Sequence, residues 1–218
     1  MPRYRLHFAK TEPMRYTGHL DVQRAWERTF RRAGLPVKYS EGFTTHPRFH
    51  LASALPLGCT SRYELADVWL ERPLPVEEVE KRLREALPPG LVLHRVEEVP
   101  EKAPALQNLV RAAEYEVRFL EPIPNLEARV RDFLAQEHVP RERRGKTYDL
   151  RPLVEALEIR QDETGEKHLW MRLTALPGAT GRPDEVLDAL GIPWEISRVE
   201  RVALLLDAVP DAPGRGEG

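Results

Sequence analysis

The chain has 218 residues, 41% of them hydrophobic and 31% charged, enough for one large domain or two small ones. No apolar run approaches the roughly 18 residues of a membrane span, and the N-terminus lacks the apolar stretch of a signal peptide, so a cytoplasmic, non-membrane protein is expected. The single Cys59 excludes an internal disulfide framework and a cysteine-built metal cage or iron–sulfur cluster. Net charge is −2, but it is unevenly spread. Residues 1–62 hold eleven Lys/Arg against four Asp/Glu, or +7, which leaves −9 for the rest.

Residues 3–9 alternate, with Tyr4, Leu6 and Phe8 on one side and Arg3, Arg5 and His7 on the other. This is the pattern of a strand with one wet or ligand-facing side. From about Thr17 the period changes to that of a helix, with Val22, Trp26, Phe30 and Ala33 on one stripe. Thr17 is placed as the N-cap, and Gly34 and Pro36 end the helix. Extended runs follow at 48–54 and 62–71. A helix over 75–87 starts at Pro75 and stops at "PPG", and "LVLHRVEEV" (91–99) reads as a strand.

The same order then recurs. A strand at 114–121 precedes a helix over 125–138. "VEALEIRQ" and "KHLWMRLTAL" flank the turn "DETGE" as a hairpin, a short helix covers 182–191, and a strand covers 196–206. Two βαββαβ units predict an α+β protein of two tandem ferredoxin-like sandwiches. The expected domains are 1–100 and 112–207, with a Pro-containing joint between them and a disordered tail at 208–218.

The candidate chemistry concentrates in the first unit. Arg24, Arg28 and Arg31 share one helix face and Arg32 extends it. The loop before the helix adds Lys10, Arg15 and His19. The stretch "YSEGFTTHPRFH" adds Tyr39, Gly42, Phe43, His46 and Arg48. Cations that meet phosphates, interleaved with aromatic faces that stack bases, predict a grip on single-stranded RNA. Gly42 permits close backbone approach, so the Tyr39–His50 stretch reads as a ligand-gripping loop rather than a catalytic centre. "PRERRGKTYDLRP" (140–152), with Arg143, Arg144, Lys146 and Arg151, reads as a basic, mobile arm that orders on RNA. His19 and His46 are the candidates for acid–base work, were the protein a nuclease. His19, Asp21, His46 and His50 lack the fixed spacing of a metal site, so none is assigned. There is no glycine-rich phosphate loop.

The matched positions Lys10, Arg15, His19, Leu20, Asp21, Glu27, Arg28, Arg31, Arg32, Tyr39, Ser40, Gly42, Phe43, His46 and Pro47 form a pattern. With "DLRP" at 149–152, it resembles the radical-SAM-linked protein family, a domain of unknown function fused to or encoded beside radical-SAM proteins. Gly18 stands where that family has serine, and Thr44-Thr45 where it has Asn-Pro. The resemblance implies a non-catalytic RNA-binding accessory to a radical-SAM enzyme in tRNA or rRNA modification or processing. The iron–sulfur cluster, S-adenosylmethionine and cobalamin would belong to that partner, and no cofactor to this chain. The tandem layout also looks like that of CRISPR repeat-processing endonucleases. The alternative is therefore a metal-independent endoribonuclease, with Lys10 or Arg15 steadying the phosphate. A protein–protein scaffold is the second alternative.

Overall fold

The computed structural model describes residues 1–41, 45–143 and 145–207. Strand β1 (Arg3–Lys10) leads through a short 3-10 turn to helix α1 (His19–Arg32). Gly18, not Thr17, is the N-cap; its carbonyl accepts from the amides of Asp21 and Val22. Strands β2 (Phe49–Leu51) and β3 (Thr60–Trp69), helix α2 (Val76–Ala86) and strand β4 (Leu91–Val99) complete the first half. The second half runs α3 (Leu106–Leu109), β5 (Val110–Phe119), α4 (Leu126–Leu134), β6 (Pro140–Arg143) and β7 (Lys146–Asp149). It continues with β8 (Val154–Gln161), β9 (Lys167–Leu176), β10 (Ala179–Thr180), α5 (Pro183–Ala189) and β11 (Ser197–Leu206).

The class is mixed α+β, as the element order requires. The strand arrangement in each half is the same: β4-β1-β3-β2 in the first and β11-β5-β9-β8 in the second, every neighbour antiparallel. The expectation of two separate sheets needs correction. One nine-stranded sheet runs through both halves, because β11 joins β3 in parallel with Glu200 opposite Thr60 and Arg201 opposite Ser61. Residues about 140 apart in sequence meet here, and no local period encodes that meeting.

Two hydrophobic clusters form. In the first, Tyr4, Leu6 and Phe8 of β1 pack beneath Val22, Trp26 and Phe30 of α1 and Val79 and Leu83 of α2. The Trp26 ring lies 5.0 Å from Phe8 and 6.0 Å from Phe49. Burying such aromatic side chains contributes about 2–3 kcal/mol each. The second cluster gathers α3 to β11 but also takes Ala52, Cys59 and Leu65 from the first half.

A buried charge pair closes the junction. Arg201 is fully buried; its Nε donates to Glu64 Oε1 at 2.8 Å, and Nη2 pairs with the other carboxylate oxygen. The remaining guanidinium donors reach the carbonyls of Ala54 (3.0 Å) and Ser53 (3.2 Å). A single side chain of the second half thereby holds a strand and a loop of the first.

Candidate nucleic-acid interface

Helix α1 separates its faces cleanly. Val22, Trp26 and Phe30 point into the core, and Arg24, Arg28, Arg31 and Arg32 are exposed. Arg24 pairs with Asp21 at 3.0 Å and Arg32 donates to the carbonyl of Ala86 at 2.6 Å. Among the described residues Arg28 and Arg31 make no ion pair, so both cations face solvent unspent.

The segment after α1 runs along the end of β3. Lys38 donates its amide to Trp69 O at 2.8 Å, Arg48 to Lys38 O at 2.7 Å, and Trp69 to Arg48 O at 3.1 Å. Tyr39 bridges to Pro47. Ser40 and His46 close the base of the loop: Ser40 N donates to His46 O (2.8 Å) and His46 N to Ser40 Oγ (3.0 Å). Tyr39, His46 and Arg48 are exposed, and the Arg48 guanidinium lies 4.5 Å from the Trp69 ring centroid. Gly42 and Phe43 lie outside the described residues.

Lys10 and Arg15 turn inward. Lys10 is 2% exposed and its Nζ donates to the carbonyls of Cys59 (3.0 Å) and Arg15 (3.2 Å). Burial lowers its pKa from the ordinary lysine value. Arg15 grips Glu12 with two donors at 2.7 Å and gives a third to Gly58 O at 3.0 Å. These cations pin the 56–59 turn to β1. Gly58 takes a φ of +85°, and a Cβ there would stand 3.0 Å from Trp194 Nε1. Burial also raises the Cys59 thiol pKa to about 12.

His19 and His46 are not brought together. His19 borders a cleft with Lys10, Thr17, Ser53 and Glu64 whose interior, about 20 Å³, has room for about one water. Burial lowers the His19 pKa, and Arg201 lowers it further. His46 lies past the Trp69 end of β3, whereas Glu64, which lines the His19 cleft, sits mid-strand, roughly 17 Å from that end. The structure therefore assembles no acid–base pair from these two histidines.

The 140–152 stretch is not a loose arm. β6 and β7 pair antiparallel from Pro140–Asp149 to Arg143–Lys146. Arg143 donates to Glu185 Oε1 (2.9 Å), Thr180 O (3.1 Å) and Tyr148 Oη (3.1 Å), and Arg141 pairs with Asp188 at 3.3 Å. The hairpin is thus tied to α5. Tyr148 also donates to Glu185; its pKa rises to about 12, through burial first and that carboxylate second. Arg151 donates to Val154 O at 3.2 Å. Lys146 is exposed at the turn, and Arg144 lies outside the described residues.

The sequence reading missed the polar side of β3. Asp67 is fully buried and accepts from both Arg3 Nε (2.9 Å) and Arg5 Nε (2.9 Å). Arg3 also donates to the carbonyls of Ala103 (2.9 Å) and Pro104 (2.8 Å), so the joint between the halves straps across this face. His7 is buried too. Its Nδ1 meets Tyr63 Oη at 2.5 Å, and its Nε2 lies 3.0 Å from Glu97 Oε1 but off the line of a hydrogen bond. The alternation in β1 signalled a polar face; only the β1–β3 register, with Arg5 opposite Asp67, reveals that the face is internally neutralised.

A family model described as "uncharacterized protein conserved in bacteria (DUF2344)" matches residues 3–183. The chain belongs to this family. No curated protein matches it. Among solved structures it is similar to a chain of a Cbf5-Nop10-Gar1 complex, at 9% identity and a TM-score of 0.49. That match covers 92% of this chain and 48% of the other, so this chain spans about half its length. A putative glycine cleavage system transcriptional repressor gives 11% identity and a TM-score of 0.26, covering 91% and 95% of the two chains. Neither likeness is close enough to define fold or activity.

Among the described residues no three His, Cys, Asp or Glu side chains gather as a metal-binding group. No helix among them is long and apolar enough to cross a membrane.

Proposed function

We propose that this protein binds RNA through the outer face of α1 and the adjoining residues 38–41 and 45–50. The observation that supports this is the stripe of Arg24, Arg28, Arg31 and Arg32, exposed while the same helix buries Val22, Trp26 and Phe30. An arginine row on a rigid element suits phosphate contact, which is sequence-independent and salt-sensitive. Lys10 and Arg15 are left out of the contact surface, because their donors are engaged inside. Lys146 is a peripheral contact at most, since Arg143 is held by Glu185.

We read the scaffold as two ferredoxin-like units, 1–100 and 112–207, fused edge to edge through β3 and β11. The repeated strand arrangement supports that reading. The protein's role is that of an accessory which presents RNA to a radical-SAM enzyme for modification or processing. The pattern around Lys10–Pro47 suggests that partner. A second observation fits a protein contact: Tyr16, Leu20 and Leu57 are 74%, 65% and 59% exposed. They lie close together at the start of α1 and the turn it meets, where Gly58 N donates to Arg15 O at 3.2 Å.

The test is binding of a labelled 20-nucleotide RNA by anisotropy. The Arg24→Glu, Arg28→Glu, Arg31→Glu triple variant should keep its circular dichroism spectrum and lose RNA binding. Unchanged affinity at moderate salt would sink the proposal.

A further inference from the structure

We propose that Trp69, Arg48 and His50 form a base-stacking subsite for unpaired RNA on the side of β2 turned away from α1. The inference rests on the RNA-binding reading above and names the form of RNA taken. Side chains alternate across a strand. Phe49 points inward, 3% exposed, its ring 5.1 Å from Phe30 and 6.0 Å from Trp26 of α1. Its neighbours Arg48 and His50 therefore face the other way, and both are exposed. His50 sits opposite Asp67, and Trp69 is two residues further along β3 on that same side.

The three side chains already touch, the guanidinium over the indole and the imidazole edge-on to it. Arg48 lies 4.5 Å from the Trp69 ring centroid, and the His50 ring is 5.1 Å from it at 65°. Arg3 approaches the same ring at 5.2 Å. Beneath them one buried carboxylate, Asp67, faces two guanidiniums, Arg3 and Arg5. Asp67, and Glu97 opposite Arg5 on β4, answer those two charges, so exposed Arg48 is the cation left to meet a phosphate. The pKa of His50 is lowered, first by desolvation where the ring packs against its neighbours and then by Arg48, so its ring is neutral near pH 7 and serves to hydrogen-bond. An indole with an exposed guanidinium beside it fits a base with its phosphate.

A duplex keeps its base faces covered; only a splayed base can enter such a stack. Among the described residues β2 pairs with β3 alone, and Lys38 and Tyr39 flank Pro47 and Arg48 beside it; together they form the wall between this cluster and α1. A single strand crossing that wall places phosphates on Arg28 and Arg31 and a base on Trp69.

The experiment compares a labelled single-stranded 20-mer RNA with a hairpin duplex of equal charge, using the full chain. The wild type should prefer the single strand by roughly tenfold or more. Trp69→Leu should weaken single-strand binding by about 5- to 100-fold and leave duplex binding unchanged. Exposed-site variants Arg48→Gln and His50→Ala guard against a misfolded Trp69 variant, and each should cost the single strand about threefold or more. Equal affinity for both RNAs, with these variants silent while the α1 triple variant still fails, overturns the subsite and leaves the RNA reading intact. No RNA binding by the wild type at low salt overturns both. AMP displacing the single strand with the affinity of one base alone would mark a mononucleotide pocket and overturn the strand.

Discussion

The arginines of α1 and those of the strands are the same residue type put to opposite uses. Arg24, Arg28 and Arg31 stand on a helix face with their charge toward water. Arg201, Arg3 and Arg15 are buried, and their donors go to Glu64, Asp67, Glu12 and to backbone carbonyls. A buried guanidinium persists only with its donors met and its charge paired. An exposed one keeps its charge available. The difference teaches that a +7 excess over residues 1–62 is not a binding surface by itself; the part left outside is what a ligand can meet.

The contrast breaks most visibly at Arg201. Arg201→Met leaves Glu64 buried without its partner and should destabilise the fold by about 3–5 kcal/mol in urea unfolding. The double variant with Glu64→Leu should recover a large part of that loss, because the orphaned charge goes with it. A cost under about 1 kcal/mol for Arg201→Met would show that the junction does not depend on this pair.

On the outside the reverse is expected. Arg24→Gln, Arg28→Gln and Arg31→Gln together should change stability by no more than about 0.5 kcal/mol. RNA affinity should fall roughly tenfold or more, and the slope of log affinity against log salt should shrink by about 2–3. An unchanged slope would separate this stripe from phosphate contact.

A smaller effect comes from a buried base that titrates. Burial lowers the pKa of His7 below the ordinary imidazole value, against the pull of Glu97. The unfolded chain then binds the proton more readily than the folded one. Stability from this group is complete above about pH 6.5 and declines as pH falls through the lowered folded value. His7→Gln should flatten the fall in unfolding free energy between about pH 6.5 and pH 5, measured by urea titration at each pH. His19 and His50 shift in the same direction and leave part of the slope in place.

The smallest effect belongs to a pair at the boundary between inside and outside. Arg143 and Glu185 are partly exposed, and such a pair contributes about 1 kcal/mol or less. Arg143→Gln should therefore shift global stability slightly while raising amide exchange in β6 and β7, because the side chain that ties the hairpin to α5 is gone. Exchange equal to wild type would show the hairpin held by its other contacts.

Much of this protein was set by local pattern. The 3.6-residue stripe of Val22, Trp26 and Phe30 fixed the buried face of α1 and so its exposed arginines. The alternation in residues 3–9 fixed the faces of β1, and "DETGE" fixed the β8–β9 hairpin. These signals are legible because helix and strand periods depend on near neighbours. What only the tertiary structure decided involves distant partners. The β3–β11 pairing made one sheet of two, since an unpaired edge at Thr60–Ser61 met another at Glu200–Arg201. Register put Asp67 beside Arg3 and Arg5 and withdrew those cations from the surface. The short β6–β7 hairpin had too few residues to show a period and is held by Glu185, some forty positions away. Charge in a sequence carries no address; burial and pairing assign it one.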